Sequence, residues 1–312
     1  MKTIHLDTSA PLLPPCVATI GFFDGVHLGH RHLIEQVKAE ARRAGLASAV
    51  VTFATHPRQV VSAGYVPQLL TSLPQKLELL AQTGVDEAVV LPFDRCMAAL
   101  SAHDFMHDIL KRRIAAATLI TGYDNRFGHN RAEGFDDYVA YGRQLGIDVM
   151  AGTPFEHEGM RVSSSLIRRC LSQGDVDSAR QALGYTYSLR APIVSGYAEG
   201  RRMGFRTANL DMTHISKMLP ARGVYATRVR IDDTGAWLPA MTNVGCRPTF
   251  GRTDTTIETY IFDFNASLYG HSLEVAFCHR LRDEQHFADE AALAAQLADD
   301  ERQARQLLTH TI

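Results

Sequence analysis

The stretch CVATIGFFDGVHLGHRHLIEQVKAEARRAG, residues 16–45, decides how the first half of the chain is read. It opens as a buried strand, CVATIGFF (16–23), and closes as an amphipathic helix, HLIEQVKAEARRAG (32–45), stopped by glycine. Between them, His27, His30 and His32 fall within six residues. In an open α/β sheet, ligands collect at the carboxyl ends of strands, beside the next helix N-terminus. The N–H groups and positive dipole end there favour an anion, typically phosphate. Gly21, Gly25 and Gly29 allow the backbone close to such a ligand. His27 and His30 stand i, i+3, so both rings can donate toward one point. An isolated H-x-x-H is more often a surface or capping pair. A metal reading finds no H-E-x-x-H and no nearby carboxylate pair.

The same alternation continues outward. ASAVVTF (47–53), DEAVVLPF (86–93), ATLITG (117–122) and IDVMAG (147–152) read as further apolar strands. PQKLELLAQTG (74–84) and SAHDFMHDILKRRI (101–114) read as helices between them, and SSSLIRRCLSQGDVDSARQALG (163–184) as two short ones. Apolar strands alternating with helices predict a parallel sheet covered on both faces, a Rossmann-like α/β domain over residues 1–184. Past residue 185 the pattern changes. YTYSLRAPIVSG, GVYATRVRI, AWLPAMTNVG, TIETYIFDF and HSLEVAFC are short strands separated by turn residues. They predict a small antiparallel β-barrel over 185–312, with the apolar stripe of EAALAAQLADDERQARQLL (290–308) making a C-terminal helix.

Bulk properties narrow the function. The 312 residues are 46% hydrophobic and 21% charged, a soluble globular composition long enough for two domains. A formal net charge of -2 points to neither nucleic acid nor an anionic membrane, while leaving room for a few phosphate donors. Cys16, Cys96, Cys170, Cys246 and Cys278 form no C-x-x-C pair and read as reduced thiols of a cytoplasmic protein. The N-terminal MKTIHLDTSAPLLPP has no apolar signal run, and no later segment is long enough to span a bilayer. There is no G-x-x-x-x-G-K-[ST] loop, so a nucleoside triphosphate would be handled without its lysine.

At 21–30, G-x-F-D-G-V-H-x-G-H resembles the signature of the HxGH nucleotidyltransferases, specifically the bacterial bifunctional riboflavin kinase/FMN adenylyltransferases. TFATHPRQV (52–60) is similar to the family's T-F-x-P-H-P segment, with Thr55 in place of proline. GYDNRFGHNRAEG (122–134) resembles G-x-D-F-R-F-G-x-x-R-x-G, with Asn125 in place of phenylalanine, and VSSSLIRRCL (162–171) resembles V-S-S-T-x-I-R. Further on, GRRMGFRTANL (200–210) is similar to the kinase segment G-R-x-x-G-F-P-T-A-N-L, with Arg206 where proline is usual. TNVGCRPTF (242–250) and LYGHSLEV (268–275) fit the same half. The ordered succession of these motifs over nearly the whole chain is more specific than any one of them.

The resemblance implies two activities: ATP-dependent phosphorylation of riboflavin to FMN, then transfer of AMP from ATP to FMN, giving FAD and pyrophosphate. It implies that His27 and His30 stabilise the ATP phosphates, with Gly21, Phe22, Phe23, Asp24 and Gly29 around them and Ser163, Ser164 and Arg168 on the triphosphate. Phe53, His56, Pro57, Asp124, Arg126 and Arg282 would face flavin. In the second half, Gly200 and Gly204 would bind ATP, Thr207 and Asn209 would hold Mg²⁺, and Glu258 would be the base for the riboflavin hydroxyl. Taken alone, Ser163–Arg168 reads equally as an N-cap with a solvated arginine, and Glu258 as an exposed strand residue. His32 lies outside the matching stretch and receives no role. The implied partners are the small molecules riboflavin, FMN and ATP, in a monomer or weak homo-oligomer. The alternative is an FMN adenylyltransferase alone, whose kinase-like barrel binds flavin without phosphorylating it.

Overall fold

The computed structural model describes residues 1–6, 13–62, 64–122, 125–157, 159–194, 207–232, 235–249, 252–268 and 270–309. The chain divides into two compact units, Met1–Ser163 and Ser164–Ile312.

The first unit is built on six parallel strands: β1 (Lys2–His5), β2 (Cys16–Ile20), β3 (Ala47–Phe53), β4 (Glu87–Leu91), β5 (Ala116–Thr121) and β6 (Asp148–Ala151). Their order across the sheet is β1-β4-β3-β2-β5-β6. β2 and β4 are buried throughout and β3 almost throughout, as continuous apolar runs covered on both faces require. β1 is a four-residue edge strand that the sequence pattern did not predict; it lies parallel to β4. β3 and β5 flank β2 on opposite sides, so strand order reverses there and a crevice opens beyond the carboxyl ends.

The helix after β2 runs from Leu28 to Ala44, starting four residues before the apolar stripe suggests because His27 caps it. It ends where Gly45 turns left-handed at φ 66° and its N–H reaches back to Ala41 and Arg42 carbonyls. The expected 101–114 helix begins as α-helix at Ala102–Asp104 and widens to a π-helix over Phe105–Lys111. Phe105, Met106 and Leu110 on this segment are buried in the core of the first unit. A short hairpin, β7 (Glu156–His157) and β8 (Met160–Arg161), precedes the end of this unit.

The second unit begins with helices Ser164–Gln173 and Val176–Leu183. A closed barrel follows, made of β9 (Ser188–Val194), β10 (Thr207–Leu210), β11 (Gly223–Ile231), β12 (Leu238–Thr249), β13 (Arg252–Ile261) and β14 (Ser272–Arg282). Closure leaves the sheet without a free edge. Buried Thr227, Thr242 and Thr259 exchange hydroxyl hydrogen bonds of 2.9 Å from strand to strand, which satisfies polar atoms that packing has removed from water. The five cysteines are free thiols, and burial beside Glu87 pushes Cys16 up to about 12.

The last helix, Glu290–Thr309, lays Ala304 and Leu308 on Ala226, Met241, Phe262 and Cys278 of the barrel wall. Arg228 donates to the Leu308 carbonyl at 2.7 Å and closes the helix end. Asp300, 1% exposed, accepts Arg282 Nε at 2.9 Å, Arg282 Nη2 at 2.7 Å and Gln296 Nε2 at 2.9 Å. Removing one member of a buried ion pair strands its partner. Asp300→Ala is therefore expected to destabilise the second unit by roughly 3–5 kcal/mol. Denaturant unfolding followed by fluorescence of the single tryptophan, Trp237, checks this; an unchanged midpoint would contradict it.

Candidate functional site

The turn between β2 and the Leu28–Ala44 helix adopts a costly shape. Phe23 (φ 53°), Gly25 (φ 85°) and Val26 (φ 36°) all lie in the left-handed region. For the two non-glycine residues this costs about 1–3 kcal/mol each, so the surroundings must impose it. The buried Asp24 carboxylate accepts the N–H groups of Leu70 (2.9 Å) and Thr71 (3.1 Å), while Thr71 Oγ1 accepts Gly25 N–H at 3.1 Å. Lys76 Nζ and Thr52 Oγ1 each donate to the Phe22 carbonyl at 3.1 Å. Arg31 Nε donates to the Val26 carbonyl at 3.1 Å. The turn is thus pinned on both flanks, largely by residues remote in sequence.

What the turn delivers is a pair of stacked imidazoles. The His27 and His30 ring centroids are 3.6 Å apart at 18° between planes. His27 caps the helix: its Nδ1 accepts the His30 N–H at 3.3 Å. In the neutral ring that hydrogen bond puts the proton on Nε2. No acidic residue stands in the helix's first turn to compete with an incoming anion. Among the described residues, His30 Nδ1 is a buried polar atom without a protein hydrogen-bond partner. Burial, then the neighbouring His27 and Lys76, holds His30 well below its ordinary 6.5, so its ring is neutral near pH 7. Gly29 makes this packing possible: a Cβ there would come 3.2 Å from the Val162 carbonyl and 3.3 Å from the His27 ring.

The other expected residues of each unit have their own surroundings. The Phe22 ring meets His56 edge-on at 4.7 Å, and the Phe23 ring meets His30 at 5.1 Å. His56 caps the short Pro57–Val61 helix, with Tyr65 tilted against it at 5.7 Å. Asn125 donates its side-chain amide to the Ile20 carbonyl, tying the 122–134 segment to the end of β2 in a way phenylalanine could not. Arg126 is exposed beside that tie. Ser164 opens its helix with Arg168 one turn along. Asp24, Phe53 and Arg282, expected on ligands, have protein partners: Asp24 on Leu70 and Thr71, Phe53 in the core edge-on to Phe93 at 5.3 Å, Arg282 on Asp300. Asp124, Gly200, Gly204 and Arg206 lie outside the described residues.

In the barrel, strand register aligns Asn209 of β10, Glu258 of β13 and Asn243 of β12 in one cross-strand row. Residues directly opposite share a face, so amide, carboxylate and amide stand side by side, half-buried. Thr207, two residues before Asn209, shares that face. Asn243 was not singled out in the sequence, since its role comes from register and not from a local motif. A Cβ at Gly245 would meet Asn243 Nδ2 at 2.7 Å and Glu284 Oε1 at 2.6 Å, so glycine there lets both side chains close in. Among the described residues no group of three or more His, Cys, Asp or Glu is placed to hold a metal ion. The oxygen atoms of Thr207 and Asn209, on one strand face, are of the hard-donor kind that a cation with substrate phosphates as its other ligands would take.

The FAD synthetase family matches residues 10–166, and the riboflavin kinase family matches 183–308. The bifunctional riboflavin kinase/FMN adenylyltransferase of Escherichia coli K12 is 35% identical over 98% of this chain and 96% of its own length. The chain belongs to the bifunctional riboflavin kinase/FMN adenylyltransferase family. The Haemophilus influenzae member is 33% identical over 93% of each chain. A Streptococcus pneumoniae crystal structure described as a macrolide-efflux protein superposes with a TM-score of 0.87 at 30% identity, covering 98% of this chain and 99% of that one. No helix among the described residues here is long and apolar enough to cross a membrane.

The neutral, half-buried His30 ring has a consequence in solution. The unfolded chain takes up the His30 proton near pH 6.5 and the folded chain only well below it, so this residue's share of stability is lost as pH falls past 6.5. A histidine-resolved NMR titration is expected to give a His30 midpoint well under 6.5; a midpoint at or above it would contradict the burial.

Proposed function

We propose that this chain phosphorylates riboflavin to FMN with ATP and then adenylylates FMN to FAD, releasing pyrophosphate, with residues 1–184 performing the second reaction and 185–312 the first. The observation that carries the reading is the presence in one chain of both matched regions, each with its own donor set. In the adenylyl step the FMN phosphate attacks the α-phosphorus of ATP. Such in-line transfer needs positioning and charge neutralisation more than a covalent nucleophile. His27 Nε2–H and the His30 ring, at a helix start, donate to phosphate oxygens as charge grows on them. His56 and Pro57, beside Phe22, take the flavin side together with Arg126, Asp124 and the segment around Phe53. The triphosphate role of Ser163, Ser164 and Arg168 is supported by the family resemblance.

In the kinase step Glu258 accepts the proton of the riboflavin 5′-hydroxyl as that oxygen attacks the γ-phosphorus. Thr207 and Asn209 would hold Mg²⁺, which supplies charge neutralisation on the ATP phosphates. Asn243, across from Glu258, is suited to orient its carboxylate. Gly200 and Gly204 keep their ATP-side assignment from the resemblance. A net charge of -2 speaks against a nucleic-acid or anionic-membrane partner, and five cysteines without a C-x-x-C pair support a cytoplasmic enzyme, taken as a monomer or weak homo-oligomer.

Chromatography of riboflavin, FMN and FAD after incubation with Mg²⁺–ATP tests the reading. His30→Ala is expected to cut FAD formation on the order of 10²–10³-fold while FMN accumulates. Glu258→Ala is expected to stop FMN formation while supplied FMN is still converted to FAD. Loss of both activities from either change, in a folded protein, would refute two separate sites.

A further inference from the structure

Lys76 is 2% exposed, on the Leu73–Gln82 helix, in a buried stripe with Leu79 and Leu80. A methionine would fill that space with no charge to desolvate, so packing does not explain a lysine there. Its ammonium instead meets three acceptors: the Phe53 carbonyl at 2.9 Å, the Phe22 carbonyl at 3.1 Å and Thr52 Oγ1 at 3.1 Å. Nζ also lies 4.1 Å from the centre of the Phe22 ring. An ammonium has three N–H donors, and here all three are used, so none remains for a phosphate. Two of the acceptors belong to different ligand-side segments. Phe22 stands in the turn that leads to His27, and Phe53 ends β3 three residues before His56.

We propose that Lys76 is a positioning residue for adenylyl transfer, its ammonium bridging the carbonyls of Phe22 and Phe53 and so fixing the His27/His30 turn against the His56 segment. The proposal rests on the first unit being the FMN adenylyltransferase. Lys76 acts through backbone, not by touching the reacting atoms. It also keeps a positive charge behind the stacked imidazoles. The charged or titratable groups that interact with it are Asp24 in the turn and His30 at the helix start. Burial lowers Lys76 to about 8, opposed by the Asp24 carboxylate. As pH rises through about 8 the ammonium becomes an amine with two N–H donors, and one of its three acceptors loses its partner. Adenylyl transfer then falls with rising pH. An arginine at 76 stays charged over the whole range, so it carries no such fall.

The test uses the full chain as wild type, Lys76→Met and Lys76→Arg, with FAD formation from FMN and Mg²⁺–ATP measured from about pH 6.5 to 9.5. Riboflavin phosphorylation in the same preparations reports on folding and on the other unit. The expected wild-type profile loses kcat through about pH 8. Lys76→Met is expected to lower kcat for FAD on the order of 10–100-fold, the scale of a small misplacement, with riboflavin phosphorylation unchanged. Lys76→Arg is expected to keep more activity than Lys76→Met and to lack the alkaline fall. Lys76→Met with wild-type kcat, or Lys76→Arg with the wild-type alkaline fall, overturns the proposal. If Lys76→Met unfolds, the Lys76→Arg profile alone decides. A wild type that makes no FAD overturns the adenylyltransferase reading itself, which is a separate outcome.

Discussion

The turn from Phe22 to Val26 holds a backbone shape it would not keep in isolation, and the first site depends on what imposes it. The Asp24 carboxylate seizes two backbone N–H groups at Leu70 and Thr71, and Lys76 grips the Phe22 carbonyl from the helix that follows. One short segment, residues 70–76, thus anchors the turn at two points. With the turn fixed, His27 falls at the N-cap and His30 stacks on it, so both imidazoles sit at the positive end of a long helix. The neutrality of His30 follows from the same packing: burial comes first, and then His27 and Lys76 stand too near for it to carry charge cheaply.

The second site uses a different device. In the barrel no strained turn is needed, because strand register alone brings Asn209, Glu258 and Asn243 into one row. Barrel closure and the Arg282–Asp300 clamp on the last helix make that register difficult to slip. The two halves therefore reach phosphate chemistry by separate routes. One places stacked histidines at a helix start; the other aligns two amides and a carboxylate on a strand face.

Much of this was legible in the sequence, for identifiable reasons. The strands β2 to β6 are apolar runs long enough to show, and the His27–His30 spacing sits between an evident strand and helix. Edge strand β1 was missed because KTIH is too short to carry a period. Asp24 was placed at the site by resemblance alone; its hydrogen bonds to Leu70 and Thr71, remote in the chain, appear only in the fold. Lys76 drew no reading from the sequence, since nothing local announces that its ammonium ends among carbonyls. The pairing of Arg282 with Asp300 likewise appears only in the fold. What sequence carries poorly is the partner of a buried polar group, because the pairing is made by the fold.

The central claim is that two separate phosphate transfers occur on one chain, each taking a different phosphorus of ATP. Incubating the protein with riboflavin and ATP labelled at either the γ- or the α-phosphorus tests it directly. The account predicts that γ-label enters FMN and is retained in FAD, while α-label enters FAD alone. Absence of γ-label from FMN, or of α-label from FAD, would contradict it.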